Sequence, residues 1–391
     1  MTRSALISRL EDELEDIVAT GLSRRRRLVT SPCSPHVRVD GREMLAFASN
    51  DYLGLANDPA VAAAFAEGVR QWGAGSGASH LVSGHTVPHE ALEAKLAEFL
   101  GFPKALTFST GYLANLAVVP TLAGRGAAVF ADKLNHASLI DAAQLAKAQG
   151  ADTLRYPHKD VAALERLLAA SDATTKIIVT DAVFSMDGDL APLPLLLDLA
   201  ERFDAWLIVD DAHGFGVLGP RGEGSLGHFG IGFHPRLILM GTLGKAAGVA
   251  GAFVAASETV IQYLLQKARS YIFTTAAPPA VAFALYKSVD LIASDPTRRQ
   301  RLLSLIGRLR DGLAGLPWHL LPSMTAIQPL VVGENQAALD LAQTLWERGL
   351  WVPAIRPPTV PRGTARLRIS VSAAHGADDI DRLVVALKEL A

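Results

Sequence analysis

Residues 235–245 run Pro-Arg-Leu-Ile-Leu-Met-Gly-Thr-Leu-Gly-Lys, an apolar stretch of strand length that ends on Lys245. Ala246, Ala247 and Gly248 follow, with no carboxylate nearby in sequence. Burial without a charged partner disfavours the ammonium form and lowers its pKa. A neutral lysine is a nucleophile, and its natural chemistry is Schiff-base formation with a carbonyl. Residues 206–213 read Trp-Leu-Ile-Val-Asp-Asp-Ala-His, a short apolar run that ends acid, acid, small, imidazole. In open parallel α/β sheets the ligand crevice lies at the carboxyl ends of the strands. An aspartate there, Asp210 or Asp211, can pair with a pyridine nitrogen and keep it protonated, which makes the ring an electron sink. A carbonyl-seeking lysine beside such an acid suits pyridoxal 5′-phosphate (PLP), which also requires a phosphate cradle and a group stacked on its ring.

Candidates for both follow in order. Ser109-Thr110-Gly111-Tyr112 succeeds an apolar run and opens a helical pattern. Backbone N–H groups at a helix N-terminus bind phosphate without a cationic side chain, and Gly111 permits close approach. His136 follows Asn135 near another helix start, where a flat imidazole can stack on the ring. His213 can donate to the phenolic oxygen of the cofactor, as can Ser185 in Phe184-Ser185-Met186-Asp187-Gly188. Thr242, three residues before Lys245, is placed for a phosphate contact. Arg356, stiffened by Pro357 and Pro358, offers a bidentate fork for a substrate carboxylate. Alone, each of these is an ordinary turn, cap, core or surface residue. Their joint order at the ends of expected parallel strands favours a site.

The elements that must position them are legible as alternation. Apolar runs at 105–109, 127–131, 153–157, 176–181, 206–210, 236–240 and 251–255 predict seven strands. Helical patterns at 113–122, 136–148, 160–170 and 193–203 lie between them. This implies an α/β large domain with a mostly parallel seven-stranded sheet covered on both faces. An amphipathic helix is expected over 4–22 and a hairpin over 37–47, around Asp40-Gly41. Helices follow Pro278-Pro279. Strands at 327–332 and 365–371 and a helix at 377–390 form a small α+β C-terminal domain. The expected division is 1–50 (helix and hairpin), 51–285 (large PLP-binding domain) and 286–391 (small domain).

Of 391 residues, 37 are Lys or Arg and 39 Asp or Glu, a net charge of −2 that argues against a nucleic-acid partner. The basic run Arg24–Arg27 reads as a solvated linker. No stretch reaches the ~18 apolar residues of a membrane helix, so no membrane association is expected. The acidic N-terminal segment lacks a secretion-signal core. The lone cysteine, Cys33, excludes an intrachain disulfide and a multi-cysteine zinc site, so the metal expectation is none and the expected location is cytoplasmic. Gly73-Ala74-Gly75-Ser76-Gly77-Ala78 loosely fits a dinucleotide fingerprint, but it follows a helical stretch, whereas the fingerprint demands strand, loop, helix.

Six segments in order carry a further signal: Asn50-Asp51-Tyr52-Leu53-Gly54-Leu55, Ser109–Tyr112, Asn135-His136-Ala137-Ser138, Phe184–Gly188, Asp210-Asp211-Ala212-His213-Gly214 and Thr242-Leu243-Gly244-Lys245. Together they resemble the α-oxoamine synthases, fold-type I PLP-dependent transferases. The resemblance runs from about residue 20 to the C-terminus. It implies that Lys245 holds PLP and moves protons, that Asp210 rather than Asp211 pairs with the pyridine nitrogen, and that His136 stacks on the ring. Ser185 and His213 contact the ring oxygen, and Gly111, Tyr112 and Thr242 serve the phosphate. Asn50 and Arg356 face the amino-acid carboxylate, and Arg24 and Thr359 line the acyl side. The resemblance also implies a homodimer with shared active sites, Thr274 and Thr275 reaching the partner's phosphate. The segments 354–361 and 363–368 resemble the branch that condenses L-alanine with pimeloyl-CoA or a pimeloyl carrier protein. The alternative within the family is glycine with acetyl-CoA.

Overall fold

The computed structural model describes residues 4–20 and 22–391. Seven strands form one sheet in the order Lys104–Phe108, Ala252–Ala256, Leu237–Thr242, Ala205–Asp210, Thr175–Asp181, Ala127–Asp132, Asp152–Tyr156. All neighbours pair in parallel except Ala252–Ala256, which runs antiparallel to both strands beside it. The central strands are apolar at nearly every position because helices cover both faces; Val129, Phe130, Ile177, Ile178, Ile208 and Val209 are fully buried. Two apolar layers result, one on each side of the sheet.

The helices start where capping chemistry allows. Thr110 accepts from the Leu113 N–H to open Gly111–Leu122, and Asp160 accepts from Ala163 to open Val161–Ala169. The expected hairpin forms between His36–Val39 and Arg42–Ala46, with Asp40 and Gly41 both at positive φ, the geometry of a tight two-residue turn. Its second strand also pairs with Leu350–Trp351, so the N-terminal hairpin joins the C-terminal body. The N-terminal helix spans Ala5–Ala19; Gly21, near the end of the expected span, lies outside the described residues. The arginine run is partly engaged: Arg25 and Arg27 both bond Asp40, and Arg27 lies over the Trp346 ring.

The small body holds an antiparallel sheet ordered His319–Leu320, Ile327–Gly333, Ala365–Ser370, Ala354–Ile355. The helix Pro279–Ser294 packs against Pro59–Trp72 and Val87–Leu100, and the helix Thr297–Leu313 packs against the C-terminal helix Ala377–Leu390. Residues 73–78 follow the helix Pro59–Trp72, as the sequence implied, and lead into a single π-turn at His80–Gly84. A helix, not a strand, leads directly into them, so the dinucleotide fingerprint lacks its context.

Candidate active site

Four of the parallel strands end on a polar residue at one edge of the sheet: Asp132, Asp181, Asp210 and Thr242. The last three line a cavity of ≈ 190 Å³ together with Gly111, Tyr112, His136, Ser138, Ser185, Ala212, His213, Met240 and Lys245. Eight of the residues singled out in the sequence thus share one wall. Arg24, Asn50, Thr274, Thr275, Arg356 and Thr359 do not line it. Arg24, Thr275 and Thr359 are exposed, whereas Thr274 and Arg356 are half-buried.

Burial pushes the Lys245 ammonium down to about 8, although the Asp210 and Asp181 carboxylates oppose the shift. Its Nζ lies 2.9 Å from His213 Nε2. His213 Nδ1 is 2.7 Å from the Tyr52 hydroxyl, which donates to Asn50 Oδ1 at 3.0 Å. With Tyr52 donating onward, His213 donates from Nδ1 and accepts from Lys245 at Nε2. Burial, with Lys245 and Arg368 nearby, holds this imidazole neutral, well below its ordinary pKa. Asn50 Oδ1 also accepts from both terminal nitrogens of Arg368, each at 3.3 Å. A continuous polar line therefore runs from Lys245 to a buried guanidinium.

Asp210 lies across the cavity wall. Its Oδ2 accepts from Asn115 Nδ2 at 2.7 Å and its Oδ1 from the Ala212 N–H at 3.0 Å. Asp211 turns away and accepts from both the backbone and the hydroxyl of Ser225. Asp210 is the last residue of its strand and Asp211 the first beyond it, and the two carboxylates take different partners. His136 caps the helix Ala137–Ala148: its Nδ1 accepts from the Ser138 N–H, and its own N–H donates to Asp181 Oδ2 at 2.7 Å. Cap and cavity wall are compatible roles for one imidazole. Burial lowers its pKa, against the pull of Asp210. Burial and the neighbouring Asp210 charge raise Asp181 well above the carboxylate range.

The residues fit PLP on three observations. The start of the helix Gly111–Leu122 opens into the cavity, and a Cβ at Gly111 would come within 2.6 Å of the Thr242 methyl, so only glycine leaves this rim unfilled. Lys245 is a buried amine with a depressed pKa, and Asp210 presents a buried carboxylate. Thr242 donates its hydroxyl to the Ala212 carbonyl at 3.2 Å, and Tyr112 donates to Asp141.

Sequence reasoning assigned no role to three participants. Arg368 is buried and donates from Nε to the Ser185 carbonyl at 2.6 Å. Tyr52 relays between His213 and Asn50, and Asn115 ties Asp210 to Ser138. Arg368 and Tyr52 lie inside segments already singled out; Asn115 sits mid-helix, where nothing in the pattern distinguishes it. A larger cavity, ≈ 650 Å³ between the two bodies, is lined by His158, Arg310 and Met324 and holds none of the expected residues.

Comparison with known proteins fits this geometry. The model of the aminotransferase class I and II family matches residues 42–387. An 8-amino-7-oxononanoate synthase of Dechloromonas aromatica (strain RCB) is 71% identical over 382 residues, 98% of this chain and 99% of its own. A solved serine palmitoyltransferase from S. paucimobilis with a bound PLP–myriocin aldimine superposes with a TM-score of 0.91 at 30% identity, covering 99% of this chain and 98% of that one. The 8-amino-7-oxononanoate synthase of Francisella tularensis superposes with a TM-score of 0.76 at 32% identity, covering 89% and 98%. The chain belongs to the PLP-dependent class I and II aminotransferase family, among its 8-amino-7-oxononanoate synthases.

Proposed function

We propose that this enzyme binds L-alanine and a pimeloyl thioester, carried on CoA or on a carrier protein, and joins them with loss of CO₂ to give 8-amino-7-oxononanoate. The observation that carries the reading is the unbroken line from the Lys245 amine through His213, Tyr52 and Asn50 to the Arg368 guanidinium. It links a proton-transfer group on the cavity wall to a buried guanidinium suited to anchor a carboxylate. PLP, when bound, supplies the ring that stores the electron pair left at the amino-acid α-carbon.

The chain's own residues do the rest. Lys245 is the covalent point of attachment for the cofactor and the group that takes and returns the α-proton. Asp210, braced by Asn115, holds the pyridine nitrogen protonated, and His136 stacks on the ring. Ser185 and His213 serve the ring oxygen; Gly111, Tyr112 and Thr242 serve the phosphate. Asn50 faces the substrate carboxylate with Arg356, and Arg368 adds a fork already in contact with Asn50. A fixed carboxylate would hold the substrate's α-carbon in one orientation and so select the bond that breaks. Arg24 and Thr359 lie on the acyl side.

We propose a homodimer in which Thr274 and Thr275 reach the partner's phosphate. In support, Leu81, Val82, Val87 and Phe273 are exposed around that segment, and the helix Ala5–Ala19 buries no residue within its own chain. No helix among the described residues is long and apolar enough to cross a membrane. The exposed free thiol of Cys33 suits the cytoplasm.

The deciding experiment supplies PLP-loaded protein with L-alanine and pimeloyl-CoA, or with glycine and acetyl-CoA, and follows thiol release and product mass. Alanine with pimeloyl-CoA should give the C9 amino ketone. Replacing alanine by glycine removes one methyl and should cost about 10–100-fold. Faster turnover of glycine with acetyl-CoA would overturn the assignment.

A further inference from the structure

A second cluster of imidazoles lies outside the active-site cavity. His80 opens the π-turn His80–Gly84, His85 closes it, and His89 lies in the first turn of the helix Val87–Leu100. One ring nitrogen from each lies within 4.8 Å of one from each of the other two. His80 Nδ1 and His85 Nδ1 face each other at 2.9 Å. The opposite nitrogens of two rings are already held. His85 Nε2 is 3.1 Å from the Glu90 carboxylate, and His89 Nε2 donates to the Ala277 carbonyl at 2.7 Å. This leaves Nδ1 of both rings as the basic nitrogen: that of His85 faces His80, and that of His89 is held by the Thr86 backbone N–H and hydroxyl. A carboxylate or carbonyl behind a histidine is the arrangement that orients imidazole ligands on a metal.

The remaining surroundings agree. His80 stacks on Tyr271 with centroids 4.9 Å apart, which fixes the plane of its ring. His80 and His85 share one hydrogen bond between their Nδ1 atoms, whereas a divalent cation can take a lone pair from each of the three rings. His89 is buried, whereas His80 and His85 are half-exposed within the single chain. In the present arrangement His89 Nδ1 accepts from the Thr86 N–H at 3.1 Å, a bond that an ion would displace.

We propose that His80, His85 and His89 form a binding site for a divalent transition-metal ion of the Zn²⁺ type, with Glu90 and the Ala277 carbonyl as its outer supports. Three nitrogen ligands leave the fourth tetrahedral position for water. The site would clamp the π-turn to the segment 271–277. That segment is already joined to it by the Ala276 N–H to Ala78 carbonyl bond at 3.0 Å and by the Ser79–Thr275 bridge.

The test uses PLP-loaded protein stripped of metal by chelator dialysis. Zn²⁺ is titrated calorimetrically, and Co²⁺ is followed by its visible ligand-field bands. The expected result is saturation near one equivalent per chain, a tetrahedral Co²⁺ spectrum and a melting temperature raised by Zn²⁺. His80→Gln and His85→Gln should each abolish saturable binding, and Glu90→Gln should weaken it by roughly 10–100-fold. The metal-free melting temperatures and PLP spectra of the variants show whether they fold. Absence of saturable binding in the parent protein, or binding unchanged in folded His80→Gln and His85→Gln variants, overturns the proposal.

Discussion

Lys245 shows how one residue's chemistry is set by where its atoms are held. Its ammonium form is disfavoured by burial, and two carboxylates only partly offset that, leaving a pKa of about 8. At pH 7 about a tenth of such amines are neutral, against well under a thousandth for an ordinary lysine. Apoprotein should therefore capture PLP at a rate that rises with pH up to about 8 and then levels, as measured by the growth of the visible cofactor band. Lys245→Ala should show no such band and should lose turnover by about 10⁴-fold or more. Arg368 makes a second prediction at this scale. Losing its charge-assisted fork should cost about 1.5–3 kcal/mol of carboxylate binding, so Arg368→Ala should raise the KM for L-alanine by roughly 10–150-fold. Arg368→Lys keeps the charge without the fork and should recover little of that loss. An unchanged KM in both variants would remove Arg368 from the substrate site.

The element that joins the two bodies is the strand Ala365–Ser370. Its alternate residues Arg366 and Arg368 point to one face and reach the same loop of the large body, at Asp187 and Ser185. Gly188 ends that loop at φ +68, and its carbonyl accepts from the hydroxyls of Ser323 and Thr325. A Cβ there would lie 2.5 Å from the Ile327 carbonyl oxygen and from Ser323 Oγ. Gly188→Ala should therefore destabilise the fold by roughly 2–4 kcal/mol, combining positive-φ strain with disrupted hydrogen bonds. Denaturant unfolding measures it; a loss within about 0.5 kcal/mol would mean that the loop relocates freely.

At the scale of the whole molecule, His158 stands where the sheet edge meets the loop before the small body. Its two ring nitrogens face Asp132 and Asp189 at 3.1 and 3.0 Å, Lys159 also pairs with Asp189, and the ring meets Phe184 edge-on. Burial alone would depress its pKa, but the two carboxylates push it up to about 9. A raised folded-state pKa stabilises the protein fully below the ordinary value of 6.5, and that contribution fades as pH climbs through about 9. His158→Gln should thus cost about 1–2 kcal/mol near pH 6 after allowance for partial exposure, and almost nothing above pH 9. Melting temperatures across that range decide it; a pH-independent deficit would show that packing on Phe184 is the larger effect. The exposed apolar residues near Thr274 and Thr275 give the other expectation at this scale. Sedimentation should report twice the 41.4 kDa chain mass, and Val82→Glu with Phe273→Glu should shift it toward the monomer.

The sequence alone determined the order of strands and helices, because both-face burial writes continuous apolar runs and helix starts require caps and glycines. It also pointed to Lys245, His136, His213 and the pair Asp210–Asp211, since each follows such a run near a strand end; the choice of Asp210 within the pair came from the family resemblance. Arg368 and Asn115 could not be read this way. Arg368 occupies an ordinary-looking strand position, and its partners Asn50 and Ser185 are 318 and 183 residues away in the chain. Asn115 reaches Asp210 across 95 residues from the middle of an apolar helix. Nor does the spacing of His80, His85 and His89 reveal by itself that a π-turn gathers their nitrogens. Local periodicity reports which face of an element is buried. Which buried polar groups meet is decided only when the sheet edge, the helix starts and the small body are packed against one another.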